Sequence, residues 1–183
     1  MSLFHGITRR PAARIRTAVL AALIGLAFIP ALPADGRGQG VRQPTGLPLP
    51  RYVSLRAAEV NLRTGPGVQY PIEWLYKRQH LPVEIIAEFR TWRKIRDWQG
   101  AQGWVHQGML SGQRYAIVTG ALRTLRSEPD IDSKPVARLE KNVIARLQSC
   151  PGASNWCKVE AGKYIGWLRK IEFWGAYPNE TLR

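Results

Sequence analysis

Between residues 83 and 106 the chain alternates. Val83-Glu84-Ile85-Ile86-Ala87-Glu88-Phe89 is rich in β-formers, and Trp92-Arg93-Lys94-Ile95-Arg96-Asp97-Trp98 sets large apolar residues against charged ones. Gly100 and Gly103 punctuate the next turn, and Trp104-Val105-His106 follows as a short strand. Period-two patterning with turn signals at short intervals predicts an all-β fold, a small barrel or sandwich. The plan returns in Val143 to Leu147, Trp156 to Val159 and Tyr164 to Leu168. Between Leu62 and Trp74, the residues Gly65, Pro66, Gly67 and Pro71 predict a long irregular loop.

The return is a duplication. Val60-Asn61-Leu62-Arg63-Thr64-Gly65-Pro66-Gly67 lies over Arg123-Thr124-Leu125-Arg126-Ser127-Glu128-Pro129-Asp130. Trp92-Arg93-Lys94-Ile95 lies over Trp156-Cys157-Lys158-Val159, Gly103-Trp104-Val105 over Gly166-Trp167-Leu168, and Gly112 over Gly175. The offsets are 63 or 64 throughout, so the copies differ in spacing by single residues only. Matching anchors in one order mark an internal repeat.

With its order "NLR-x-GPG … W-x-K-I … GWV", the chain resembles the bacterial SH3-like domain family, in the tandem form of exported proteins. The resemblance covers about residues 51–177. In the second copy Glu128 and Asp130 replace the two loop glycines, so that loop need not share the first one's shape. The resemblance implies two tandem five-stranded barrels and a binding or adaptor role in the cell envelope, toward a peptide or a cell-wall (peptidoglycan) component. It implies no catalytic residue and no cofactor.

The leading segment changes the compartment. Residues 1–34 hold Arg9, Arg10, Arg14 and Arg16 and no acid, then an apolar run from Ala18 to Ile29 and the small residues Ala31-Leu32-Pro33-Ala34. That is the layout of a secretory signal peptide, too short in its apolar run to span a bilayer. Ala12 and Ala13 follow Arg9-Arg10 where a twin-arginine signal has bulky apolar residues, so general (Sec-type) export is expected. The mature chain then begins near Asp35 or Arg37, is periplasmic or secreted, and keeps no transmembrane segment. Residues 35–50, rich in Gly and Pro, read as a flexible linker. The expected organisation is a signal peptide (1–34), a linker (35–50), SH3-like domains at 51–118 and 119–177, and a tail at 178–183.

Charge and candidate chemistry narrow the function. The net charge is +14. Removing the leader with its four arginines leaves +10, which suits an anionic envelope surface, and which would suit nucleic acid only in another compartment. Cys150 ends one expected strand and Cys157 begins the next, so the pair can meet across a hairpin as a disulfide in an oxidising compartment. Closing that loop stabilises the fold by roughly 2.5 kcal/mol on the chain-entropy relation. An enzyme, such as an accessory cell-wall hydrolase or amidase component, would need one of these thiols free and near His80 or His106. His80 and His106 lack companions at metal-ligand spacing, so no metal site is expected. Glu84, Glu88 and Asp97 are interleaved with Arg93, Lys94 and Arg96 and read as cross-strand ion pairs.

The aromatics sort by recurrence. Trp92, Trp104, Trp156 and Trp167 occupy equivalent positions of both copies and are expected to pack the barrels. Tyr70, Trp74 and Trp98 belong to the first copy alone, where Gly65 and Gly67 are expected to free the loop backbone to approach a partner. Tyr70, Trp74 and Trp98, with Arg63, are therefore the expected ligand face.

Overall fold

The computed structural model describes residues 45–152 and 154–183. The expected signal peptide and linker residues 35–44 lie outside them. Fourteen strands form two antiparallel sheets. The first contains β1 (Arg51–Leu55), β2 (Val60–Arg63), β3 (Ile72–Tyr76), β4 (Pro82–Phe89), β5 (Trp92–Arg96), β6 (Gln102–His106) and, after a 3-10 turn at Gln107–Met109, β7 (Leu110–Ser111). The second contains β8 (Tyr115–Val118), β9 (Arg123–Arg126), β10 (Pro135–Leu139), β11 (Ile144–Ser149), β12 (Trp156–Ala161), β13 (Tyr164–Arg169) and, after a turn at Lys170–Glu172, β14 (Phe173–Trp174).

Strand order is β3-β2-β6-β5-β4-β1-β7 in one sheet and β10-β9-β13-β12-β11-β8-β14 in the other. The two orders coincide strand for strand, so the sequence duplication is a duplication of topology. Each sheet has seven strands where five were expected. Neither ladder closes: β3 and β7, and likewise β10 and β14, are the ends of open sheets.

Alternation explains the cores. In β5 and β6, Ile95 and Val105 are fully buried while their neighbours Lys94 and Trp104 are half-buried on the opposite face. Leu55, Val60, Leu62, Val83, Ile85, Ile95, Val105 and Leu110 form the first core, drawn from six strands of one bent sheet. Ala116, Val118, Leu125, Ala145, Leu147, Val159, Leu168 and Phe173 form the second.

Strand β8 belongs to both cores. Ala116 and Val118 face the second, and Ile117 between them joins the first, together with the flanking Ile144 and Trp174. A run of apolar residues buried on both faces is what such a shared strand needs. Around it, Tyr52 meets Trp174 edge-on at 4.8 Å and Tyr177 at 4.6 Å between ring centroids. The Tyr177 hydroxyl donates to Glu84 Oε1 at 2.7 Å, and Arg96 Nε donates to Glu84 Oε2 at 2.8 Å. Burial, with Glu84 adding to it, pushes the Tyr52 hydroxyl up to about 12, and burial and the bond to Glu84 push Tyr177 up as well. His80 stacks on Tyr115 at 4.4 Å.

Both chain ends of the described region are tied down. Thr45, in the last part of the expected linker, donates its N–H at 3.0 Å and its hydroxyl at 2.8 Å to Glu88. In the expected tail, Glu180 accepts from Arg114, and Leu182 exchanges two backbone hydrogen bonds of 2.9 Å with Cys150. Cys150 and Cys157 form a disulfide with Cα atoms 4.2 Å apart.

Candidate functional site

The loop after β2 is shaped by its own residues. Arg63 Nη1 donates to the carbonyls of Val68 at 3.1 Å and Tyr70 at 2.7 Å, while Thr64 N–H reaches Pro71 O at 3.1 Å. The ring of Tyr70 lies over Gly65, so close that a Cβ there would come within 2.3 Å of it. Gly67 is crowded in the same way by the Gln69 side chain. The two glycines are therefore seats for the loop's own side chains, and not open backbone held for a partner as expected. In the second copy Arg126 Nη1 holds the carbonyl of Ser133 at 2.8 Å, so the arginine clamp is common to both.

Across from this loop stands the β4–β5 turn. Arg90 takes a positive φ of 50° there, and Phe89 pairs with Trp92. Arg93, buried beneath, fixes the turn through the carbonyls of Arg90 at 2.8 Å and Trp92 at 2.9 Å and through Gln107 Oε1 at 2.6 Å. The third side comes from the end of β6. His106 Nδ1 accepts from Gly108 N–H at 3.2 Å, capping the 3-10 turn, and its ring meets Trp92 edge-on at 5.6 Å.

Loop, turn and cap enclose a hollow of 430 Å³ lined by Val68, Phe89, Arg90, Trp92 and His106. A smaller one of 200 Å³ adjoins it, sharing Val68, Trp92 and His106 and adding Asn61, Arg63 and Met109. Apolar and aromatic walls with a few polar groups at the rim suit an extended or ring-bearing ligand. Arg90 lies 5.4 Å from the Phe89 ring, so the rim is also cationic.

Of the four expected ligand residues, Arg63 borders the smaller, adjoining hollow. Tyr70 is exposed on the neighbouring loop, Trp74 is exposed on edge strand β3, and Trp98 is half-buried against the first core. The recurring tryptophans depart from expectation: Trp92, Trp104, Trp156 and Trp167 are half-buried on the outer strand faces and belong to neither core. Parity carries the signal for Trp92, because it shares a strand face with Lys94 and not with the buried Ile95. Phe89, His106 and Met109 carry no comparable signal, since only the fold brings the turn and the cap together.

The acids have structural partners. Glu84 pairs with Arg96, and Glu88 with Arg93 at 3.3 Å and with Arg51. Burial raises the Glu88 carboxyl, but hydrogen bonds from Arg51 and Thr45 outweigh it and hold the group below the usual carboxylate range. Asp97 differs from the expected ion pair. It accepts from the Tyr76 hydroxyl at 3.0 Å and from the N–H groups of Gln99 and Ala101 at 2.9 Å, anchoring the β5–β6 turn. With both cysteines in the disulfide, neither presents a thiolate. Among the described residues no three His, Cys, Asp or Glu side chains are placed to hold a metal ion.

The model of the bacterial SH3 domain matches residues 56–112 and again residues 120–175. The chain belongs to the bacterial SH3 domain family, in two tandem copies. Members of this family are generally binding modules, commonly for cell-wall components, and are often extracellular. Among solved structures the chain is similar to NlpC1 and NlpC2 from Trichomonas vaginalis, each at 12% identity and a TM-score of 0.32 over 70% of this chain. It covers 46% and 48% of those proteins, about half their length. No curated protein matches the chain in sequence. No helix among the described residues is long and apolar enough to cross a membrane.

Proposed function

We propose that the chain is an exported, non-catalytic binding module of the bacterial envelope, and that its first bacterial SH3 domain takes a peptide or cell-wall fragment in the hollow between loop 64–71 and the β4–β5 turn. The observation that carries this reading is the wall of Val68, Phe89, Trp92 and His106, held by arginines on both sides before any ligand arrives. A preformed wall lowers the ordering cost of binding. The reading draws further support from the family, from the basic charge and from the leader-like composition of residues 1–34. The second domain is the scaffold: Arg169, at the position of His106, is bound to its neighbour Glu172 at 2.9 Å.

The test is a titration of the full chain against purified cell-wall sacculi and their soluble peptide and glycan fragments. Trp92→Ala is expected to weaken binding by about 1–3 kcal/mol, the range of an aromatic anchor, and Trp156→Ala to leave it unchanged. Equal losses in both variants, or binding that ignores Trp92, would move the site elsewhere.

A further inference from the structure

The two sheets end on strands that occupy the same place and carry opposite chemistry. Register makes them equivalent: Trp74 lies opposite Leu62 as Ala137 lies opposite Leu125, and Ile72 lies opposite Arg63 as Pro135 lies opposite Arg126. In β10 the three positions read Pro135, Ala137 and Arg138. A proline without an N–H and an outward charge are standard guards of a sheet edge. In β3 the same positions read Ile72, Trp74 and Leu75, which are 50%, 58% and 39% exposed. An edge strand with unpaired backbone and exposed apolar side chains is a template for another strand.

We propose that β3 is a self-association edge, on which a second copy of this chain adds its own β3 antiparallel. Charge selects the occupant. With the two-fold axis at Leu75, each Glu73 faces the partner's Lys77, and the exposed Leu75 meets its own copy on the axis. Glu73 and Lys77 are both exposed, and neither has an ion-pair partner among the described residues. A strand that is its own electrostatic complement in this register pairs with itself, because the isologous interface makes the Glu73–Lys77 contact twice. The chain's net positive charge opposes association at long range, but at physiological salt that repulsion is screened beyond about 8 Å.

Sedimentation velocity on the full chain at physiological salt, over a concentration series, reads the association directly. The wild type is expected to form a reversible dimer. E73K and K77E each set like charges face to face at both symmetric contacts and are expected to weaken it about tenfold. The double variant E73K/K77E restores opposite charges and is expected to return to within about threefold of wild type. None of these exposed changes touches either core, and circular dichroism confirms that each variant is folded. A wild type that stays monomeric up to about 1 mM would overturn the proposal. So would single variants that dimerise like wild type, a double variant no better than the singles, or a monomer that captures an unrelated extended peptide on β3.

Discussion

Two domains of one fold secure the same cross-strand position by different chemistry. On β4 and β5 of the first, Glu88 sits directly opposite Arg93, and both are buried. At the matching place in the second, Cys150 is bonded to Cys157, and both are buried. The ion pair needs helpers: Thr45 and Arg51 on the carboxylate, Gln107 and two turn carbonyls on the guanidinium. The disulfide needs none, because it is covalent and leaves no charge to solvate. The helpers of the ion pair also fix the turn that walls the hollow. The difference is why the proposed binding face is placed on the first domain: its clamp is built from groups that shape the hollow.

The comparison is broken most severely at Glu88. Glu88→Ala leaves Arg93 buried without its carboxylate and is expected to cost about 3–5 kcal/mol in urea unfolding, against near nothing for an exposed pair. A loss below about 1 kcal/mol would make the pair incidental. Next comes the disulfide. Cys150→Ser is expected to cost roughly 2.5 kcal/mol, and intact-mass measurement without reductant should show two hydrogens fewer than the reduced chain. Two freely alkylating thiols in protein purified without reductant would remove that half of the comparison.

Much of this was legible in the chain. Alternation in residues 83–106, the 63-residue repeat and the hairpin placement of Cys150 and Cys157 lead directly to two tandem all-β domains and the disulfide. The burial of Glu88 and Arg93 was not legible, because a charged residue in an alternating strand reads as solvent-facing. What covers Glu88 is Thr45, from a linker whose Gly and Pro content suggests no packing role, and Arg51 at the start of β1. The recurring tryptophans mislead in the opposite sense: recurrence follows from duplication and says nothing about which face a residue occupies. Ile117 illustrates a third limit. It lies on a strand of the second sheet but is buried in the first core, which depends on how β8 is shared and which no local pattern encodes.

Hydrogen-exchange mass spectrometry of the full chain, with and without reductant and across acid pH, tests the two-clamp account most directly. Glu88 has a folded-state pKa below its unfolded value of about 4.3, so its stabilisation is present above that pH and is lost as pH falls through the lower folded value. Acid should therefore raise exchange in residues 82–96 of the oxidised protein, after correction for intrinsic rates. Reductant at neutral pH should raise it in residues 144–161 and leave 82–96 protected. Both treatments opening the same strands together would contradict the claim that the two domains are clamped independently, one by charge and one by a covalent bond.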